Sequence, residues 1–94
     1  MKELSTESLD KIRELAGLFL SIREIALLAG LPYKELQAQI EDEDSQAYLA
    51  YFEGKTRSKY EIRQKVVQLA KMGSPQAETL SEKYIEDQEL HEND

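Results

Sequence analysis

Residues 21–40 read SIREIALLAGLPYKELQAQI, and this stretch decides the fold because it combines two helix patterns with a turn between them. Ser21 is a good N-cap residue, since its hydroxyl can accept a hydrogen bond from a free backbone N–H. Glu24, three residues later, completes the pattern of a capping box. Gly30 can adopt the left-handed conformation that ends a helix, and Pro32 suits the first turn of the next one. The predicted helices span residues 22–29 and 33–41.

The small and apolar residues of this stretch resemble those of the DNA-binding helix-turn-helix. A small residue in the first helix lets the two helices cross closely, a glycine permits the turn, and leucines fill the space beneath. The matching positions are Ile25, Ala26, Gly30, Leu31 and Leu36. The resemblance implies a three-helix, homeodomain-like unit over residues 5–42. A plain helical hairpin would need the same cap, small residue and glycine, so that interpretation stays open.

The second helix of this pair carries candidate DNA-contacting residues on the side opposite its apolar residues Leu36 and Ile40. Glutamine can bond adenine in the major groove, and lysine can reach guanine or a phosphate. Two glutamates of the same segment, Glu35 and Glu41, would face phosphates of like charge. An ordinary solvated helix face explains the same polar residues equally well. The candidate DNA-binding residues of this helix are Tyr33, Lys34, Gln37 and Ala38.

The rest of the chain predicts helices only, since it contains neither sustained apolar alternation nor an Asn-Gly or Asp-Gly hairpin. A first helix is expected over residues 5–19, with Phe19 in its inward stripe. Gly54 is expected to separate two further helices, the second of which begins with a capping box formed by Ser58 and Glu61. The remaining predicted helices span residues 45–53, 58–72 and 75–89.

The fold class that these elements predict is all-α, with five to six short helices in one domain. A three-helix half comes first, and a packed helical half follows it. Apolar residues at helical spacing should face inward in the last two helices. Those residues are Ile62, Val66, Leu69, Ala70, Ala77, Leu80, Tyr84 and Ile85. The predicted domain covers residues 1–89, its C-terminal half covers residues 45–89, and a frayed tail covers residues 90–94.

Charge is distributed in blocks, although the chain as a whole is acidic, with a formal net charge of −7. Residues 54–75 carry six basic side chains and one acidic one, whereas acidic side chains dominate both flanking segments. If the chain binds DNA, this basic block should supply most phosphate contacts, because no other stretch is net positive. The same cations could instead pair with the acidic run at 41–44 and with the acidic last helix. The candidate phosphate-contacting residues are Lys55, Arg57, Lys59 and Arg63.

The helix predicted over residues 45–53 holds three closely spaced aromatic residues, Tyr48, Tyr51 and Phe52. Such a helix is apolar around much of its circumference, so it is either well buried or part of a subunit interface. These residues support a second functional hypothesis, in which the chain is a protein-interaction or oligomerisation module that keeps a helix-turn-helix scaffold without binding DNA. The net negative charge of the chain favours this alternative.

Catalytic and metal sites are not expected in this chain. It has no cysteine, which excludes disulfides and thiolate ligands, and its single histidine is His91 in the predicted tail. No phosphate-cradling glycine loop or cofactor motif is recognisable, so an enzyme is not expected. The acidic run at 41–44 lacks the glycine and the spaced oxygen ligands of an EF-hand, which favours a solvated capping loop over a calcium site. Without an apolar run of about twenty residues or a signal peptide, the sequence predicts a cytoplasmic location.

Short motifs in the second half of the chain resemble those of small phage and mobile-element proteins, in particular the small subunit of phage terminase. The motifs are Tyr51-Phe52-Glu53-Gly54-Lys55, Glu61-Ile62-Arg63 and Leu69-Ala70-Lys71-Met72-Gly73-Ser74-Pro75-Gln76-Ala77. In that family, a helix-turn-helix precedes an aromatic–x–x–Gly–Lys helix, an Ala–x–x–Gly–Ser–Pro–x–Ala junction and a final helix. The resemblance spans about residues 20–85 and implies DNA recognition. The strongly acidic composition departs from that family.

Overall fold

The computed structural model describes residues 3–92, which form five α-helices and no strand. The helices are α1 (Thr6–Ala16), α2 (Ile22–Ala29), α3 (Tyr33–Glu41), α4 (Gln46–Lys71) and α5 (Pro75–Leu90). The predicted all-α class is confirmed, and α2 and α3 have the predicted bounds. The chain divides into two compact units, Met1–Lys59 (unit 1) and Tyr60–Asp94 (unit 2). Residues 93 and 94 of the predicted frayed tail lie outside the described part.

The prediction of two helices separated at Gly54 is wrong, because α4 continues through this residue for 26 residues in all. Ser58 and Glu61 consequently lie in the helix interior instead of forming a capping box. The cap of α4 is Ser45, whose hydroxyl oxygen accepts a hydrogen bond from the Tyr48 N–H at 3.0 Å. An isolated glycine weakens a helix by about 1 kcal/mol relative to alanine, which is why the sequence pattern indicated a break. A tertiary contact explains why the helix continues.

α1 and α4 approach each other at the backbone, and two glycines make this approach possible. A Cβ added at Gly54 would overlap the carbonyl oxygen of Arg13 and would lie 2.9 Å from its carbonyl carbon. A Cβ added at Gly17 would lie 2.8 Å from the Ser58 hydroxyl oxygen. The Nε of Arg13 also lies 3.5 Å from a carboxylate oxygen of Glu53, beside this crossing. The missing side chain at Gly54 therefore allows α1 to lie directly on α4.

The core of unit 1 combines small residues at helix crossings with a few branched side chains. Ile12, Ile25 and Leu36 are its largest fully buried side chains. Alanines of α1, α2 and α4 bring the helices close enough for these residues to meet. The buried cluster consists of Ile12, Leu15, Ala16, Ile25, Ala26, Leu36, Ile40, Ala47 and Ala50. Of the leucines that the helix-turn-helix pattern places beneath the turn, Leu36 belongs to this cluster and Leu31 is partly buried against it.

We expect Gly54→Ala to destabilise the protein, although alanine is the better helix former. The new methyl group would overlap the Arg13 carbonyl and push α1 away from α4, and overpacking of this kind costs about 1–3 kcal/mol. Urea unfolding followed by circular dichroism measures the change. Thr56→Ala is the matched control, because Thr56 is an exposed residue of the same helix and its replacement should leave stability equal or slightly higher. A more stable Gly54→Ala variant would contradict the close crossing.

The first helix is shorter than predicted, and Phe19 is not part of its inward stripe. α1 ends at Ala16, and Phe19 is 51% exposed with a φ of 61°. The Phe19 N–H donates to the Ala16 carbonyl, and the Leu20 N–H donates to the Leu15 carbonyl. This pair of hydrogen bonds is the Schellman pattern that commonly ends a helix. In this pattern the first of the two donor residues, here Phe19, adopts the left-handed conformation.

The same pattern ends α2 and α4, but there the left-handed residue is a glycine. Gly30 has a φ of 71° and Gly73 a φ of 97°. The Leu31 N–H donates to the Ala26 carbonyl, and the Ser74 N–H donates to the Leu69 carbonyl, as the pattern requires. Phe19 is the only described non-glycine residue with a positive φ. The end of α1 therefore carries a strain that the two glycine ends avoid.

We expect Phe19→Gly to stabilise unit 1 by about 0.5–1 kcal/mol, because glycine adopts the left-handed conformation without the cost that a Cβ imposes. The half-exposed ring gives up little packing in return. Thermal unfolding of the purified chain measures the gain. Leu18→Gly is the control, since it removes a neighbouring exposed apolar side chain at a position without positive φ and should destabilise instead. Equal destabilisation by both changes would contradict the account of strain.

Unit 2 contains the end of α4 and all of α5, and most of its apolar residues are not buried. Within its described residues, Ala77 alone is buried. Four residues predicted to face inward are exposed, namely Ile62, Leu69, Leu80 and Ile85. Val66, Ala70 and Tyr84 are partly buried. The prediction of an inward stripe is therefore wrong for these four exposed residues, because a pair of helices covers only a narrow strip of each partner.

Candidate nucleic-acid interface

Hydrogen bonds cap α2 at both of its ends. At the start of α2, the Ser21 hydroxyl accepts from the Glu24 N–H at 3.1 Å, and the Ser21 N–H donates to the Glu24 carboxylate at 2.9 Å. The predicted capping box is therefore confirmed. At the end of α2, Gly30 has the predicted left-handed conformation. Pro32 precedes α3 as its N-cap residue, one position earlier than predicted.

One side of α3 is buried and the other is open to solvent. Leu36 and Ile40 are buried beneath the helix. Lys34 and Ala38 are exposed, and their spacing from the buried pair places them on the opposite side. The partly buried residues Tyr33 and Gln37 lie at the border between the two sides. Of the four candidate residues, two are therefore exposed and two are partly buried.

Two carboxylates share the solvent side of α3 with Lys34. Glu35 and Glu41 are both exposed, as the sequence analysis expected. Glu35 also lines a groove of about 320 Å³ together with apolar residues from the N-terminal segment and the turn. The residues along this groove are Glu3, Leu4, Leu31, Pro32, Glu35, Leu36 and Gln39. The outer side of α3 therefore has mixed charge.

Arg23 is a cation near α3 that the sequence analysis overlooked. It lies in the first turn of α2, and its guanidinium carbon is 4.2 Å from the centre of the Tyr33 ring. A guanidinium stacked on an aromatic ring is a favourable cation–π contact that also fixes the orientation of the ring. Its position next to the capping box was visible in the sequence, but the contact requires α2 and α3 to cross. Arg23 and Lys34 therefore place two cations near the start of α3.

The cations predicted to contact phosphate lie on α4, and they do not form one row. Lys55 and Arg57 are interior residues of α4, so they do not lie between two helices, as the predicted bounds 45–53 and 58–72 implied. Two residues apart, they point to opposite sides of the helix, whereas Lys59 follows Lys55 by about one turn. Lys55 Nζ lies 5.1 Å from the centre of the Tyr51 ring. Lys55 and Lys59 therefore share one side of α4, and Arg57 lies on another.

Arg63 belongs to unit 2 and makes contacts there. Its guanidinium carbon lies 4.3 Å from the centre of the Tyr84 ring, and one of its terminal nitrogens lies 3.8 Å from a carboxylate oxygen of Asp87. Tyr84 and Asp87 both belong to the acidic last helix, α5. This ion pair is of the internal kind that the charge blocks also indicated. At this exposure it contributes at most about 1 kcal/mol.

Of the three aromatic residues near the start of α4, Phe52 contacts both of the others. The Tyr48 and Phe52 ring centres are 4.7 Å apart, and those of Tyr51 and Phe52 are 5.0 Å apart with the rings nearly perpendicular. Tyr48 and Tyr51 are partly buried, whereas Phe52 and its neighbour Leu49 are exposed. The surface next to the aromatic cluster is therefore apolar.

The acidic loop between α3 and α4 is organised by its own backbone and by Ser45. The Asp44 N–H donates to an Asp42 carboxylate oxygen at 3.0 Å, and the Ser45 hydroxyl donates to the Gln39 carbonyl. Within residues 3–92, no group of three or more metal-binding side chains is close enough together to hold an ion. The loop thus connects two helices and starts the second one.

The capping box lowers the pKa of Glu24 below its ordinary value. The first cause is the hydrogen bond from the Ser21 backbone N–H to the carboxylate, and the Ser21 side chain adds to it. A lowered pKa in the folded state means that the ionised carboxylate favours folding. This contribution is complete above the pKa of the unfolded chain, and it is lost as the pH falls through the lowered folded pKa.

We expect Glu24→Gln to reduce stability at neutral pH and to have less effect in acid. Its difference from wild type in free energy of unfolding should stay constant down to about pH 4.5, the ordinary pKa of a glutamate, and shrink below it as the wild-type carboxyl becomes protonated. Urea unfolding at each pH measures this difference. Ser21→Ala, which removes the cap hydroxyl, should cost about 1 kcal/mol at neutral pH. A difference between wild type and Glu24→Gln that stays constant with pH would contradict the role of the charged carboxylate.

No protein-family model, curated protein or solved structure matches this chain. Over the described residues, none of the helices combines the length and the apolar character needed to cross a membrane.

Proposed function

We propose that unit 1 binds double-stranded DNA through α3. In this proposal α2 and α3 act as a helix-turn-helix, similar to that of phage terminase small subunits. The observation that carries this proposal is the α2–α3 pair. The capping box and the left-handed Gly30 define the two ends of α2. The buried residues of α3 lie on one side of that helix, so Lys34 and Ala38 are on the side open to solvent. An α-helix presented in this way can enter the major groove with its first residues against the bases.

The dimensions of α3 support the proposal. The helix has nine residues and is therefore about 14 Å long, and an α-helix with its side chains is about 10–12 Å across. The major groove of B-DNA is about 12 Å wide, and it admits one α-helix. Ala38 at the centre of the open side presents no bulk, so the helix backbone can approach the base edges closely. Gln37 at the border supplies an amide that can bond adenine.

The charged residues near α3 are suited to different types of contact with DNA. Arg23 and Lys34 lie near the start of the helix, where they can reach phosphates or guanine. Glu35 can accept a hydrogen bond from the amino group of cytosine. This carboxylate can therefore contact a base, although it would repel a phosphate. Lys55 and Lys59 on α4 are further candidates for phosphate contacts. With so few cations and an acidic chain, we expect weak binding with a shallow salt slope, because the slope is proportional to the number of phosphates neutralised.

The test is the salt dependence of DNA binding by an Arg23→Ala, Lys34→Ala double variant. Fluorescence anisotropy with a labelled random duplex at several salt concentrations gives the affinity and its salt slope. If both cations neutralise phosphates, the slope of log affinity against log salt should flatten by about 1.8. Affinity should fall at every salt concentration, and most at the lowest.

A matched control removes the same charge from unit 2. The Lys65→Ala, Lys83→Ala double variant changes the net charge equally but leaves the α3 region untouched. It should keep a salt slope close to that of the wild-type chain. Equal losses in the two variants would show that binding follows net charge alone, and a wild-type chain that shifts no duplex at low salt would reject the proposal.

A second candidate function is a protein-interaction module, and a specific observation favours it. Leu49 and Phe52 are exposed on α4 beside the cluster of Tyr48 and Tyr51. Exposed apolar residues grouped in this way are typical of interaction surfaces. The same duplex titration separates the two functions, because an interaction module would not bind DNA in either variant or in the wild-type chain.

A further inference from the structure

Unit 2 exposes most of its large apolar side chains. Leu69 and Ile85 are 51% and 54% exposed, and the buried residue among those described is the small Ala77. The exposed large apolar residues of the unit are Tyr60, Ile62, Leu69, Met72, Leu80, Ile85 and Leu90. Segments of fewer than about 40 residues seldom bury enough apolar surface to be stable without a disulfide, a metal or an oligomeric partner. The chain has no cysteine, so a disulfide cannot stabilise this unit.

The exposed apolar residues border the contact between the two helices. On α4, Ile62 and Leu69 follow the spacing of Val66, which is partly buried, so the three residues share one stripe. On α5, Leu80 lies three residues after the buried Ala77 and therefore on a neighbouring part of the same side. Apolar residues beside an existing helix contact are suited to covering by further helices.

The charges of the two helices are opposite in sign. The part of α4 in unit 2 carries Arg63, Lys65 and Lys71 against the single acidic Glu61. α5 carries five acidic residues and Lys83. Within one chain, Arg63 already pairs with Asp87 of α5. A surface with one basic and one acidic helix is complementary to a second copy of itself turned by a two-fold axis.

We propose that residues 60–90 form a self-association surface, on which the same two helices of a second chain pack. The basic α4 of each chain then faces the acidic α5 of the other, and the exposed apolar residues lie between them. This arrangement buries in the pair the apolar surface that unit 2 exposes alone. It is independent of DNA binding by unit 1.

The first experiment measures the mass of the full chain as a function of concentration. In sedimentation equilibrium from about 1 µM to about 1 mM, the mass should rise from the monomer value of 10.8 kDa toward twice that value. Leu69→Gln combined with Ile85→Gln should weaken association at least about tenfold, because both side chains lie in the proposed contact. Glutamine is a good helix former and both positions are exposed, so a single chain should keep its helix content.

The control is the Leu27→Gln, Leu28→Gln double variant, which makes the same exchange on exposed residues of α2. It should associate as the wild-type chain does. A wild-type chain that stays monomeric over the whole range would overturn the proposal. So would equal weakening by the two double variants, since that would place the contact elsewhere or make it unspecific.

A second measurement needs no variant and locates the contact. A carbodiimide links lysines directly to carboxylates in contact, and a mixture of unlabelled and nitrogen-15-labelled chains distinguishes links between chains from links within one. Mixed-isotope peptides should join Lys65 or Lys71 of α4 to carboxylates of α5. Mixed-isotope links found only outside residues 60–90 would overturn the proposed surface even if the chain is dimeric.

Discussion

The direct backbone approach of α1 to α4 at Gly54 is the constraint on which unit 1 depends. The carbonyl of Arg13 occupies the space that any side chain at position 54 would need. The alanines at 16, 47 and 50 extend this close approach, so the two helices meet with little side-chain volume between them. Branched residues from α2 and α3 then complete the core against this pair. A glycine that costs helix propensity is retained because the packing gained at the crossing is greater.

At the end of α1, an unfavourable backbone conformation is offset by side-chain packing against the core. Phe19 adopts a left-handed conformation that Gly30 and Gly73 adopt at corresponding helix ends without strain. The turn nevertheless brings Leu20 against the core in which Leu15 is buried. That contact is the apolar one that commonly accompanies a Schellman ending. The geometry of the turn is therefore set by the packing of Leu20 rather than by the preference of Phe19.

The cations of the chain are shared between internal contacts and solvent. Arg23 stacks on Tyr33, Lys55 lies over Tyr51, and Arg63 contacts both Tyr84 and Asp87. An aromatic ring holds a cation without neutralising it, so such a side chain can still face an anionic ligand. An ion pair with a carboxylate competes directly with a phosphate. This difference favours Arg23 and Lys55 over Arg63 as groups available to DNA.

The sequence by itself determined the helices whose signals are local. The Ser21–Glu24 capping box, the left-handed Gly30 and the Ser74–Pro75 start of α5 each depend on residues within one helical turn, and all three are found in the structure. Tertiary structure alone decided the continuity of α4 through Gly54, because the reason is a contact with Arg13, 41 residues earlier in the chain. It also decided the stacking of Arg23 on Tyr33 and the exposure of Leu69 and Ile85. Periodicity shows that a helix has an apolar side, but how much of that side is covered depends on how many helices pack against it.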